Sequence, residues 1–319
     1  MHAPIGPAAR CLLLIGRSVH LEALRRLLAA ASSGHGQLAL ISGEAGVGKS
    51  RLVAEVAAEA TTAGFRVLQG RCFEQDPSNP YAPLVDLLQS HLARHAVATR
   101  TAELEPAVRE LLLLLPGILP PPRDLVAEPG IDPEVRQQRL VAALTHYLSS
   151  LADEQPLLLV FEDVQWSDDA SLELMLHMAW FSMERPIGLL ATYRSEDGGS
   201  RLHHWLARLD RERVAQELSL ACLAADEVAA MLRAIFALDQ PVRPEFAAAL
   251  FALTDGNPFF IEEVLTALIA EGDIFYGARG WDRKPLERLR IPRSVQDAVR
   301  QRAERLSADA KHGGSRSVG

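Results

Sequence analysis

The feature that most constrains this chain is the octapeptide Gly43-Glu44-Ala45-Gly46-Val47-Gly48-Lys49-Ser50, with Arg51 directly behind it. It fits G-x-x-x-x-G-K-S/T, and its surroundings fit as well. Residues 37–42 are a short apolar run of strand length, and residues 49–63 read as a long alanine-rich helix ended by Gly64. In that setting the glycines let backbone N–H groups turn inward around phosphates, and the helix N-terminus adds its positive dipole. Lys49 would bridge the terminal phosphates and the Ser50 hydroxyl would ligate Mg²⁺. Lysine occurs in this sequence only as Lys49, Lys284 and Lys311, so one of three falls where the motif requires one.

Residues 19–31 alternate apolar and polar side chains at helical spacing and end in a Ser-Ser-Gly turn; residues 66–69 supply a second strand after the alanine-rich helix. Strand, turn, helix and strand make a βαβ unit, hence a parallel sheet with its functional loops at the strand C-terminal ends. Residues 73–152 read as mostly helical, broken near Pro80 and Pro83 and by a proline-rich loop at 116–133 expected to be mobile. Continuous apolar runs at 157–161 and 187–193 give two more buried strands, with a helix over 169–182 between them. Strand signals then thin out. Residues 225–236, 244–253 and 258–271 are amphipathic helices, residues 272–289 a hairpin or loop, and residues 294–306 a further helix. The predicted division is a leading segment and helix over 1–36, an α/β core over 37–195, a helical domain over 196–290 and a short remainder over 291–319. The polar, glycine-rich stretch 311–319 is expected to be disordered.

Glu162 and Asp163 end one buried strand, and carboxylates there would lie beside the phosphate loop if the two strands neighbour each other in the sheet. By analogy with other P-loop enzymes, Glu162 is assigned to the metal shell with Ser50, and Asp163 to the attacking water. The competing reading is that Asp163, Ser167, Asp168 and Asp169 cap the following helix; Asp168 and Asp169 are assigned to that role. Arg194 follows the next buried strand, where it either contacts a γ-phosphate or stands solvated in a loop.

A formal charge of −8 is the wrong sign for a segment whose affinity would come from nucleic-acid phosphates, so direct DNA or RNA binding is not expected. The longest apolar runs fall far short of the roughly 20 residues of a membrane span, and no secretory signal is visible, which predicts a cytoplasmic location. Cys11, Cys72 and Cys222 are far apart, without a C-x-x-C pair, and are expected to be reduced thiols. His91 and His95 lack the Glu of a zinc-peptidase motif, His203 and His204 read as surface, and the four tryptophans are assigned to core packing.

Taken in order, five stretches resemble one family: Leu14-Ile15-Gly16-Arg17; residues 43–52; Leu159-Val160-Phe161-Glu162-Asp163-Val164-Gln165-Trp166-Ser167-Asp168; Ala191-Thr192-Tyr193-Arg194; and Gly256-Asn257-Pro258-Phe259-Phe260. The chain is similar over residues 14–306 to the AAA-type signal-transduction ATPases (STAND class) of large LuxR-type transcriptional regulators and some bacterial adenylate cyclases. The resemblance implies a three-layer P-loop NTPase core with a helical lid and, over 294–306, the start of a winged-helix module. It implies that Ile15, Gly16 and Arg17 line an adenine pocket, that Arg194 is a sensor arginine, and that Pro258 touches the base. Two departures stand out. Ser18 occupies a position where the family commonly has an acid, and Glu162 is one methylene longer than the usual Asp.

The function expected from this resemblance is an ATP-binding, slowly ATP-hydrolysing regulatory switch with ATP, ADP and Mg²⁺ as ligands. ATP held between the α/β core and the helical lid would favour one arrangement, and self-association on ATP binding is expected. The alternatives are a nucleotide-holding scaffold without turnover and an initiator-like ATPase acting on DNA. Residues 311–319 do not resemble the family's continuation, so the chain is expected to be a fragment of a larger regulator or to end in an altered reading frame.

Overall fold

The computed structural model describes residues 9–74, 80–96, 106–115, 132–197, 199–277 and 280–285. The expected mobile loop at 116–133, except for its last two residues, lies outside these. So do the helix at 294–306, with its winged-helix reading, and the stretch 311–319. Two compact units divide the chain, one made of residues 19–45 and 49–220, the other of the described residues through 18, residues 46–48 and those from 221 onward.

In the first unit α1 (Ser18–Ser32) leads into β1 (Leu38–Ser42), α2 (Lys49–Thr62) and β2 (Arg66–Arg71). There follow α3 (Ala82–Ala96), α4 (Pro106–Leu114), α5 (Pro133–Glu154), β3 (Leu157–Glu162), α6 (Asp169–Ser182), β4 (Ile187–Tyr193), α7 (Ser200–Glu212) and β5 (Ala215–Ser219). Among the described residues, five strands form one sheet in the order β2-β3-β4-β1-β5, and each pairing is parallel. A parallel sheet needs a crossover between its strands, and helices supply it here, leaving the central strands covered on both faces. Every residue of β1, β3 and β4 is accordingly buried. Leu40, Leu159, Phe161, Leu189 and Ala191 share one core with Leu144, Leu148 and Leu176 from the helices. Phe161 is 1% exposed, and burying such a side chain stabilises the fold by about 1.5–3 kcal/mol.

Strand order and the division into units bear on two points of the sequence reading. First, the strand that ends in Glu162 does not neighbour the strand that feeds the phosphate loop, because β4 lies between β3 and β1. Second, the helical domain does not begin at 196: α7 and β5 belong to the sheet unit, and the division falls after residue 220. β5 is an edge strand whose Gln216, Glu217 and Ser219 are exposed, so it has no continuous apolar run to read. α7 keeps the amphipathic pattern, with Leu202, Trp205 and Leu209 buried.

The second unit contains α8 (Ala225–Ile235), α9 (Pro244–Thr254), α10 (Pro258–Ala270) and an antiparallel hairpin of β6 (Ile274–Gly277) and β7 (Gly280–Arg283). Val228, Leu232, Leu250, Ile261, Val264 and Leu268 form its core, joined by Cys11. Asp255 and Gly256 close α9 in left-handed conformations. Gly256 is required there, since a Cβ would lie 2.0 Å from the Leu223 carbonyl oxygen. Asn257 then caps α10 by accepting a hydrogen bond from the Phe259 N–H at 3.1 Å, with Pro258 at the first helical position. Among the described residues no helix is long and apolar enough to cross a membrane.

Candidate functional site

The bend between β1 and α2 takes its shape from its glycines. Gly46 and Gly48 have φ of +80° and +103°, which L side chains rarely adopt, and the chain then enters α2 at Lys49. Backbone N–H groups and a helix N-terminus gathered this way favour an anion. Lys49 is buried, and its ammonium folds back to donate to the carbonyl oxygens of Gly43 at 2.6 Å and Glu44 at 2.9 Å. Burial pushes its pKa down, while Glu196 first and Asp163 next act to hold the charge. Ser50 is exposed and Arg51 half-buried in the first turn of α2.

At the end of β3 the two acids part company. Glu162 and Arg71 are register partners on β3 and β2, and the guanidinium donates to Glu162 Oε1 at 3.1 Å. Glu162 Oε2 is buried with no hydrogen-bond partner among the described residues. Asp163 leaves the strand at φ +58°, its N–H donating to Thr192 Oγ1 of β4 at 3.0 Å. Its carboxylate accepts from Gln165 Nε2 at 3.2 Å and lies 3.9 Å from Arg194 Nε. Arg194 follows β4, its backbone N–H donating to Gln165 Oε1 at 3.2 Å and its guanidinium pairing with Asp197 at 3.3 Å. Asp163, Arg194 and Lys49 are therefore electrostatically linked, whereas Glu162 is engaged by Arg71.

Asp168 caps α6 by accepting from the Ser171 N–H at 2.9 Å, and Asp169 pairs with Arg201 at 3.3 Å. Burial drives the Cys72 thiol up to about 12, against Ser167 at 3.0 Å, so it is no nucleophile at neutral pH. Trp205 is buried, as a core role requires, while Trp180, at 44% exposed, does not take the core place expected of it.

In the second unit Ile15 and Pro258 are half-buried and Gly16 is exposed at φ +68°. Arg17 is 5% exposed, and its guanidinium donates to the carbonyl oxygens of Ala221 at 2.7 Å and Val47 at 3.2 Å. Desolvation lowers its pKa against the pull of Glu227. Its donors are thus directed at backbone, an arrangement that braces the Gly46–Gly48 segment. The Phe259 N–H also reaches the Gly46 carbonyl oxygen, at 3.3 Å.

Sequence reasoning missed Glu196. Its Oε1 accepts a hydrogen bond from the Ala45 N–H of the phosphate loop at 2.7 Å. The only signal for it in the sequence is its place three residues after β4.

A parallel sheet of this order, flanked by helices and carrying a glycine-rich bend and lysine between the buried strand β1 and the next helix, is the P-loop NTPase α/β fold. The family model for the AAA ATPase domain matches residues 13–190, more than half of the chain, and the protein belongs to that family. An uncharacterised protein of Rhizobium meliloti (strain 1021), R02095, is 26% identical over 264 residues. That alignment covers 79% of this chain and 24% of the relative, so the chain spans about a quarter of that protein's length. Among solved structures, the ORC2 protein of Aeropyrum pernix, solved as ADPNP–ADP complexes, superposes with a TM-score of 0.53 at 15% identity, covering 91% of this chain and 68% of that one. A Walker-type ATPase of Pyrococcus abyssi gives 0.52 at 19% identity, covering 85% of this chain and 72% of that one. At these identities the likeness is one of fold.

Proposed function

We propose that this chain binds Mg-ATP at residues 43–50 and hydrolyses it slowly, serving as the nucleotide-governed switch of a larger signal-transduction or transcriptional regulator. One observation carries the reading: the buried strand β1 delivers a glycine-shaped anion-binding bend with Lys49 at the head of α2, and Asp163 and Arg194 lie within its electrostatic reach. Lys49 would neutralise terminal phosphate oxygens, Arg194 would contact the γ-phosphate, and Asp163 would orient and deprotonate the attacking water. Ile15, Gly16, Arg17 and Pro258 are proposed to receive the base. Arg17 would act there mainly by holding backbone, given its bonds to Val47 and Ala221.

A magnesium ion is part of the proposal, with Glu162 and Ser50 as its protein donors. Glu162 Oε2 is a buried oxygen without a donor among the described residues, and Ser50 is exposed at the start of α2. Among the described residues no three His, Cys, Asp or Glu side chains converge into a metal cage, so phosphate oxygens and water would complete the coordination. When bound, the ion neutralises phosphate charge; Ser50 and Glu162 would hold it.

The test pairs calorimetric titration of Mg-ATP with a phosphate-release assay. The expected result is saturable nucleotide binding and slow, Asp163-dependent release. A second reading, a scaffold that holds nucleotide without turnover, draws support from the Asp163 carboxylate already facing Gln165 and Arg194. Phosphate release equal in wild type and Asp163→Asn would favour it. The placement within a LuxR-type or cyclase-associated regulator is supported by the five resembling stretches. Gel filtration with ADP and with a non-hydrolysable ATP analogue tests the switch, and identical profiles would count against it.

A further inference from the structure

The ends of β1 and β4 are level in the sheet, Ser42 pairing with Tyr193. Ala45 and Glu196 each stand three residues past those partners, so the loops leaving the two strands run side by side. There the Glu196 carboxylate receives the Ala45 N–H at 2.7 Å, the short distance of a charge-assisted bond. The same carboxylate is the strongest opposite charge acting on Lys49. Lys49 in turn sits on the carbonyl oxygens of Gly43 and Glu44, the two residues just ahead of Ala45. Ala45 therefore offers its amide at the ammonium end of the loop, the end that serves the terminal phosphates of a nucleotide.

A carboxylate that takes a loop amide, and whose charge acts on the loop lysine without bonding to it, holds one of the contacts a terminal phosphate oxygen would make. We propose that Glu196 is a built-in stand-in for the γ-phosphate, which a nucleoside triphosphate must displace and a diphosphate need not. Glu196 thereby sets the ratio of ADP to ATP affinity and biases the chain toward its diphosphate-bound state. This rests on the nucleotide-binding reading above. A triphosphate that fails to displace the carboxylate also meets like-charge repulsion, which adds to the discrimination. Glu196 is exposed in a turn, so its replacement spares the core.

The experiment is titration of the full chain, in Mg²⁺, with ADP and with a non-hydrolysable ATP analogue, for wild type, Glu196→Gln and Glu196→Ala. Losing one charge-assisted contact at an exposed site predicts that both variants bind the triphosphate about 10-fold more tightly relative to ADP. ADP affinity itself should move less than about threefold, on the same scale. Equal shifts for both nucleotides, or no shift, would overturn the role of Glu196 while leaving nucleotide binding intact. Binding of neither nucleotide by any of the three proteins would overturn the nucleotide reading and this inference together.

Discussion

The two flanks of β4 carry the same kinds of side chain and dispose of them differently. On the β2–β3 flank, Arg71 and Glu162 are register partners and close on each other at 3.1 Å. On the β4–β1 flank, Lys49, Asp163, Arg194, Glu196 and Asp197 interact without any one pair consuming the rest; Arg194, for example, is shared between Asp163 and Asp197. Two consecutive carboxylates of one strand end thus have different prospects. Glu162 continues the strand and meets the cation its neighbour supplies, whereas Asp163 breaks out of the strand at φ +58° and turns to β4. What a strand-end acid can do is set by which neighbouring strand offers it a partner, more than by its position in a motif.

The sharpest way to break this contrast is Asp163→Asn. If Asp163 is the general base, phosphate release should fall about 100-fold or more, with Mg-ATP affinity within about threefold of wild type. Release that survives this change but is lost in Glu162→Gln would reverse the roles of the two flanks. Next in size is Lys49→Ala. Removing one charge-assisted contact worth about 1.5–3 kcal/mol should weaken Mg-ATP binding about 10- to 100-fold by calorimetry. Glu162→Gln tests the orphaned Oε2 directly: the Mg²⁺ concentration needed for half-maximal nucleotide binding should rise about 10-fold, one charged ligand being lost. No change in Mg²⁺ requirement would leave Glu162 as a partner of Arg71 alone. The smallest effect on nucleotide binding belongs to Arg71→Met. The Arg71 side chain is 51% exposed but that of Glu162 only 11%, so losing the cation leaves a buried carboxylate unpaired and should cost about 1–2 kcal/mol in denaturant unfolding, with nucleotide affinity unmoved. A larger loss would mean that the β2–β3 flank is a structural clamp.

The central strands could be read from the sequence because burial on both faces leaves them wholly apolar, as in Leu157 to Phe161. The helices of the second unit were equally legible, with Pro244 and Pro258 marking two of their starts. β5 was not, because an edge strand with Gln216 and Glu217 exposed has the composition of a loop. β2 was cut short at Gln69 for a related reason: Gly70 and Arg71 look like punctuation, yet they pair with Phe161 and Glu162. At the site, residue types were legible and their partners were not. Nothing in the spacing of Arg71 and Glu162, or of Ala45 and Glu196, announces contacts made across more than 90 residues of chain. Strand order decides them, and the sequence left open whether β1 and β3 were neighbours.

The most direct test of the account is calorimetric titration of the wild-type chain with ATP in the presence and absence of Mg²⁺. Saturable uptake of one ATP per chain, tightened by Mg²⁺, is the predicted result. A folded protein that takes up no adenine nucleotide at millimolar concentration, on the order of the weakest specific affinities, would contradict it.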